Sequence, residues 1–343
     1  MEVLIVLFVR ATYLGVLKVV AGCNSKQSIS VFTDDVALFV KPLVHDLVAV
    51  RELLNLFGEV SRLMVNYMKT EAIVIRGGEQ ECDRVRDILG CQIGSFPCRY
   101  LGLQLSTGQL SRANWQPLID RVIAFLPPWQ RGLLQRSGRL ILIKAVVAAK
   151  PIHHLLIAEA PDWVLEEING WMRAFFWAGK AEINGGNCLV SWWKVCKPLQ
   201  FGGLGVKDLR LQGLALRVQW EWLRRTDDTR PWHGLPPLKD PDAVAVFNSL
   251  VRIQAGEGSK VLFWNDRWLN GVSVQDIAPL VRLKVRTQCA NRRTMKEAMV
   301  DHRWINDIAG HLTATGIAQC LLLLSTVAGI FRDVSQPDVF SWP

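Results

Sequence analysis

Apolar positions along the chain fall into blocks of two different periods. Ser30-Val31-Phe32-Thr33-Asp34-Asp35-Val36-Ala37-Leu38-Phe39-Val40 sets β-branched and aromatic residues on both sides of two adjacent carboxylates, the pattern of a β-hairpin with Asp34 and Asp35 at its tip. Leu47, Val50, Leu53, Leu54 and Phe57 then recur at three- and four-residue spacing, which predicts an amphipathic helix of about four turns. Ala72-Ile73-Val74-Ile75 reads as a strand closed by Gly77-Gly78. Trp115, Leu118, Ile119, Val122, Phe125 and Leu126 make a second helical face that stops at Pro127-Pro128, and Arg139 to Lys150 predicts a helix apolar around most of its circumference. Behind Asp162, a third face comprises Val164, Leu165, Ile168, Trp171, Met172, Phe175 and Phe176 and ends near Gly179. Asp162, Glu166 and Glu167 complement the dipole of that helix at its start. A further helix is expected over Leu214 to Arg225. Short strands mixed with longer helices make this an α+β chain.

Two apolar stretches invite a membrane reading and do not sustain it. Met1 to Val20 is cut by Glu2, Arg10 and Lys18 into runs of seven residues, far short of the ~20 that a span needs. Glu2 is also the wrong charge for the start of a secretory signal. Ile308 to Phe331 carries no formal charge but is diluted by Thr313, Thr315, Gln319, Ser325, Thr326 and three glycines, so a buried helix is expected there. The chain is expected to be nuclear or cytoplasmic, not secreted and without a membrane partner. A membrane-associated protein would rest on these two stretches alone.

Composition narrows the classes. With 343 residues, half of them hydrophobic, and 14 Trp, the chain can build a sizeable core over two or three domains and is no disordered tail. A net charge of +9 and a pI near 9.3 favour a polyanionic partner. The eight cysteines are scattered without a Cys-x-x-Cys pair, which signals neither a zinc site nor a disulfide framework. Between Arg112 and Lys150, seven basic residues (Arg112, Arg121, Arg131, Arg136, Arg139, Lys144 and Lys150) face a single acid, Asp120. Helices with such an outer face suit a nucleic-acid backbone; a merely solvated basic face is the alternative. The adjacent His153 and His154 would not share a helical face, which argues against a metal pair.

The candidate chemistry sits at the acidic hairpin. Two like charges held between apolar strands are costly, and a divalent cation is the natural compensation. An ordinary hairpin with an acidic turn remains the plainer alternative for the tetrad alone. Asp227-Asp228 is the same dipeptide among Arg224, Arg225, Thr226 and Thr229; it reads as a polar loop and is assigned no chemistry.

Phe32-Thr33-Asp34-Asp35 resembles the Tyr-Ala-Asp-Asp box of reverse transcriptases, and its continuation Val36-Ala37-Leu38-Phe39 resembles the form found in plant non-LTR (LINE-type) retrotransposons. Ser61-Arg62-Leu63-Met64-Val65-Asn66-Tyr67-Met68-Lys69-Thr70 resembles the family's Ser-Gly-Leu-x-x-Asn-x-x-Lys-Ser motif, with Asn66 and Lys69 matching. Phe96-Pro97-Cys98-Arg99-Tyr100-Leu101-Gly102-Leu103-Gln104-Leu105 is similar to the Phe-Pro-x-x-Tyr-Leu-Gly-x-x-Leu block, whose hairpin grips the primer in that family. Gly202-Gly203-Leu204-Gly205, which lacks dinucleotide-fingerprint spacing, resembles a block found after the thumb, to which the helix Leu214 to Arg225 and Arg230-Pro231-Trp232 also belong. The block from Gly256 to Gly271 resembles the family's Gly-x-Gly and Phe-Trp-x-Asp-x-Trp pattern. Asp338-Val339-Phe340-Ser341-Trp342 looks like the lead-in to a C-terminal zinc-binding domain. Phe32 departs from the family's Tyr, Thr33 from its small apolar residue, and Arg62 from a glycine, which should cost about 1 kcal/mol if the position is left-handed.

The resemblance implies a partial palm over 1–110, made of the acidic hairpin plus a helix, a helical thumb-like basic region over 111–180, and a mixed C-terminal extension over 181–343. It implies Asp34 and Asp35 as catalytic ligands of Mg2+, and Asn66, Lys69, Phe96, Tyr100, Leu101 and Gly102 as contacts to nucleotide or primer. Residues 1–22 look like the tail of the palm helix, and no Asp occurs before Asp34. Since polymerase chemistry clamps two metals between carboxylates of two strands, the expectation is a degenerate fragment of an RNA-directed DNA polymerase, inactive alone. It would retain binding to RNA template and DNA primer and could depend on another chain to complete the palm. The alternative is a non-catalytic nucleic-acid-binding or interaction protein derived from the element.

Overall fold

A computed structural model describes residues 1–18, 20, 28–124, 133–230, 240–330 and 333–342. The chain is α+β, with helices dominant and the described strands in four two-stranded sheets. It divides into two compact units, Met1–Gly213 and Leu214–Pro343.

The first unit opens with α1 (Glu2–Tyr13), which turns Leu4, Phe8 and Ala11 inward at helical spacing. They pack on the antiparallel hairpin of β1 (Ile29–Phe32) and β2 (Asp35–Leu38) and on α2 (Val44–Ser61). The buried face of α2 is Leu47, Val50, Leu54 and Phe57, with Leu53 half-buried, so the three-and-four spacing translates directly into packing. The helix stops at Arg62, whose φ of 61° is left-handed and whose N–H returns to the Gly58 carbonyl at 2.8 Å. A β-α-β unit follows: β3 (Glu71–Ile73) pairs in parallel with β4 (Gln92–Gly94) across α3 (Glu79–Leu89). Leu47, Val85 and Cys91 join this unit to α2.

Next come the hairpin of β5 (Cys98–Tyr100) and β6 (Leu103–Leu105) and the helix α4 (Arg112–Ile123). Residues 125–132, which contain Phe125, Leu126, Pro127, Pro128 and Arg131, lie outside the described residues. The helix expected over Arg139 to Lys150 runs instead as α5 (Arg136–Leu142), continued by a π turn over Ile143–Val147. Of its apolar residues only Ile143, Val147 and the small Ala148 are fully buried, with Ile141 exposed, so it is less buried than its composition indicates. After α6 (Ile152–Leu155), α7 (Asp162–Ala178) buries Val164, Leu165, Ile168, Trp171, Met172, Phe175 and Phe176, and Gly179 ends it at a φ of 67°. Both α4 and α5 lie against α7. The short α8 (Trp192–Val195) and the start of α9 (Leu209–Thr226) complete this unit.

The second unit is organised around aromatic rings. Phe263 lies with its ring centroid 5.0 Å from Trp264 and 5.8 Å from Trp304, all three buried. The indole N–H of Trp268 donates to the Phe263 carbonyl at 2.8 Å, and that of Trp264 to Asp307 at 2.9 Å. Arg225 of α9 is buried between Glu221 and Asp266, which places the aspartate of the Phe-Trp-x-Asp-x-Trp stretch in an internal ion pair. Asp227 accepts from the Thr229 backbone N–H at 3.1 Å and Asp228 pairs with Lys260 at 2.7 Å; both are loop-forming, as their surroundings indicate. Pro231 and Trp232 lie outside the described residues.

The C-terminal stretch folds back. After α10 (Pro241–Leu250), β7 (Arg252–Gln254) pairs antiparallel with β8 (Val339–Ser341). The Asp338 carboxylate accepts three backbone N–H groups of the glycine-rich loop, from Gly256 at 2.8 Å, Gly258 at 2.8 Å and Lys260 at 2.9 Å. A Cβ on Gly256 would fall 2.1 Å from the Gln336 carbonyl oxygen, so only glycine allows this approach.

Ile308 to Phe331 does not form the wholly buried helix expected. The helix α11 (Ala314–Ala328) buries Gly316, Leu323 and Val327 but exposes Ile317, Leu321 and Leu322. One face packs on the aromatic core while the other stands at the surface. Phe331 lies outside the described residues. No helix among the described residues is long and apolar enough to cross a membrane.

Candidate nucleic-acid interface

The hairpin forms as the flanking apolar runs predict, but its tip lies one residue earlier than expected, with Asp34 in the turn and Asp35 opening β2. Phe32 pairs with Asp35, leaving Thr33-Asp34 as a two-residue turn. Thr33 adopts a φ of 55°, a left-handed position that a β-branched residue occupies only at a cost. Asp34 and Asp35 are both exposed. Among the described residues no group of three or more His, Cys, Asp or Glu side chains is gathered that could hold a metal. A two-metal centre needs carboxylates from more than one strand, so this donor set does not by itself fit Mg2+ in catalytic form, and no chemical step is routed through it.

The second hairpin also closes on a two-residue turn. Tyr100 pairs with Leu103, and the intervening Leu101 and Gly102 have φ values of 50° and 81°. Two consecutive positive φ values at a two-residue loop match the twist of the flanking strands. Phe96 stands half-buried before it, joined to Pro97 by a cis peptide bond.

The two hairpins meet. Ser30 Oγ of β1 and the Tyr100 hydroxyl of β5 share a hydrogen bond at 3.3 Å. On its other side the second hairpin is held by two histidines to which the spacing argument assigned no task. His153 Nε2 lies 3.2 Å from the Leu101 carbonyl, and His154 hydrogen-bonds the Gly102 backbone. Burial first, then the nearby charge of Arg121 and then His153, depress the His154 pKa to about 4, so this ring is neutral at ordinary pH. Adjacent histidines can both reach a single target because the target is a backbone turn, not a point-like ion.

Asn66 and Lys69 form a turn of their own. Asn66 Oδ1 accepts the Met68 N–H at 3.1 Å and its carbonyl accepts the Lys69 N–H at 3.0 Å. The Asn66 side chain thus shapes the loop that presents the exposed ammonium of Lys69.

The basic residues divide by what they touch. Arg112 lies over the Trp163 ring at 4.8 Å and Arg136 over Trp177 at 5.1 Å; both arginines tie their helices to α7 and remain exposed. Lys144 donates to the Leu204 carbonyl at 3.1 Å. Arg121 is exposed beside His154. Arg139 and Lys150 are half-buried, while Arg131 lies outside the described residues. The basic helices therefore spend part of their charge on internal contacts that sequence counting does not reveal.

No protein-family profile matches the chain. A protein of Arabidopsis thaliana, provisionally named a ribonuclease H protein, is 27% identical over 193 residues. That match covers 48% of this chain and 30% of the Arabidopsis protein, so the chain spans less than a third of its relative's length.

Proposed function

We propose that the first unit is a palm-and-thumb portion of a non-LTR retrotransposon reverse transcriptase and that it holds an RNA–DNA primer–template. Asp34 and Asp35 are one arm of a Mg2+ clamp, Tyr100, Leu101 and Gly102 lie along the primer, and Lys69 and Arg121 meet phosphates. The contact at Ser30 and Tyr100 is the observation that carries this reading. It sets the strand bearing the carboxylates beside the hairpin bearing the Phe-Pro-x-x-Tyr-Leu-Gly stretch, which are 70 residues apart in sequence. Likeness to a plant protein named for a ribonuclease supports a nucleic-acid partner.

Because the donor set has one arm, these residues bind nucleic acid without adding nucleotides on their own. The same observation favours a second reading, a non-catalytic nucleic-acid-binding protein derived from such an element, in which the acidic pair is vestigial.

The test is photo-crosslinking from a reactive base at the primer 3′ end. Adducts within residues 28–40 and 96–105 are the expected result. Adducts confined to the second unit would contradict the assignment.

A further inference from the structure

Trp193, the second residue of α8, is 58% exposed although its neighbour is held inside. Trp192 is half-buried, donates its indole N–H to Asn169 Oδ1 at 3.2 Å and has its ring 6.5 Å from that of Phe176. One tryptophan anchors the short helix on α7 and the next is turned to solvent. Lys197 Nζ lies 4.3 Å and Lys194 Nζ 5.8 Å from the Trp193 ring centroid. Beside them an open cavity of about 530 Å³ is lined by Arg173, Cys188, Val190, Ser191, Trp192 and Trp193.

The main chain of the lysine nearest the ring is held in place. A Cβ on Gly203 would fall 2.0 Å from the Lys197 carbonyl oxygen, and the Gly205 N–H donates to that same oxygen at 2.9 Å. The Leu204 N–H donates to Val195 at 3.0 Å. The Gly-Gly-Leu-Gly stretch, which carries no dinucleotide spacing, thus closes a loop against the end of α8 and anchors the backbone of Lys197 beside the indole. From Ile183 to Lys207 the chain has Lys194, Lys197 and Lys207 and no acid.

We infer that this surface binds single-stranded nucleic acid, with an unpaired base stacked on Trp193 and its flanking phosphates met by Lys194, Lys197 and Arg173. An exposed indole offers a flat face that any base can cover, and flanking cations supply the sequence-independent attraction to the backbone. An apolar protein partner would have to desolvate three cations without neutralising them, whereas a strand brings its own negative charge. A base inside a duplex is already stacked, so the site selects the unpaired strand. The inference rests on the reading that the chain handles nucleic acid.

The experiment measures binding of fluorescently labelled dT20, rU20 and an RNA–DNA primer–template duplex by anisotropy, across a salt series, with the full chain. The variants are W193A, W193F and K194A/K197A, each checked for folding by circular dichroism. W193A is expected to weaken oligonucleotide binding about 5- to 50-fold, and W193F less than about 3-fold. K194A/K197A should flatten the oligonucleotide salt slope by about 1.4, two contacts at ~0.7 each. Duplex binding should stay within about 2-fold of the unsubstituted protein. Oligonucleotide binding unchanged in folded W193A overturns the site, and so does a loss in the lysine variant alone. Equal losses for strand and duplex overturn its selectivity. Saturable binding of an acidic peptide, abolished by W193A while oligonucleotide binding persists, assigns the surface to a protein and overturns it too. A chain that binds none of the three nucleic acids overturns the proposed function along with this site.

Discussion

Ser30 Oγ and the Tyr100 hydroxyl lie 3.3 Å apart and share the hydrogen bond that joins the acidic hairpin to the Leu101-Gly102 hairpin. Ser30 is exposed and Tyr100 only half-buried, so the bond competes with water. Y100F is expected to destabilise the first unit by about 0.5–1 kcal/mol, and S30A/Y100F to cost no more than the larger single change. Urea unfolding of the two single variants and the double variant measures this; additive losses would mean that the hydroxyls do not interact.

Burial keeps His154 neutral in the folded chain, beside the turn of the second hairpin. Its pKa of about 4 in the folded chain lies below the ordinary histidine value of 6.5. As pH falls below 6.5 the unfolded chain takes up a proton that the folded chain refuses, so stability drops between about pH 6.5 and pH 4 and levels off below. After allowance for solvent screening the loss is on the order of 1–2 kcal/mol. H154F should remove this part of the pH dependence, and urea midpoints at pH 7 and pH 5 for both proteins reveal it.

Arg62 occupies a glycine's conformation. With φ at 61°, R62G relieves the left-handed strain and should stabilise the chain by roughly 0.5–1 kcal/mol, less the entropy that glycine adds to the unfolded chain. A rise in Tm is the expected readout, and a fall would mean that the Arg62 side chain makes a contact that outweighs the strain.

Removing the Asp338 carboxylate strands three backbone donors at once. D338A is expected to cost about 2–4 kcal/mol and to free β8 from β7, since hydrogen bonds to a charged acceptor are worth more than neutral ones. Hydrogen exchange at Gly256, Gly258 and Lys260 should accelerate in the variant, whereas unchanged protection there would show that strand pairing alone holds the loop.

Breaking the buried Arg225 pair is more damaging still. D266A leaves Glu221 as the one carboxylate partner of the guanidinium and should destabilise the second unit by about 3–5 kcal/mol. Circular dichroism melts measure the effect, and a change below about 1 kcal/mol would show that the pair is solvated in practice.

Local patterns predicted local structure. The face of Leu47, Val50, Leu54 and Phe57, the helix from Asp162 and the strand break near Asp34 were all legible, because each depends on neighbours within a turn or two of chain, whereas the left-handed position at Arg62 was expected only from the glycine that the resembling family has there. The long-range contacts were not legible. Ser30 and Tyr100 are far apart in sequence, as are Asp338 and its glycine loop, and no periodicity encodes which hairpin a hydroxyl will meet. The contact of His153 and His154 with the turn was not legible either, because their adjacency speaks only against a shared metal and not about a backbone turn 52 residues earlier. Arg112 and Arg136 looked like free charge because the sequence does not show that Trp163 and Trp177 stand beneath them.

The most direct test is binding of a labelled RNA–DNA primer–template to the purified chain over a salt series, with primer extension followed in parallel in Mg2+. Binding that weakens steeply with salt, without extension, is the predicted result. Extension by these residues alone would contradict the one-armed carboxylate site, and a folded chain that fails to bind at low salt would contradict the nucleic-acid reading altogether.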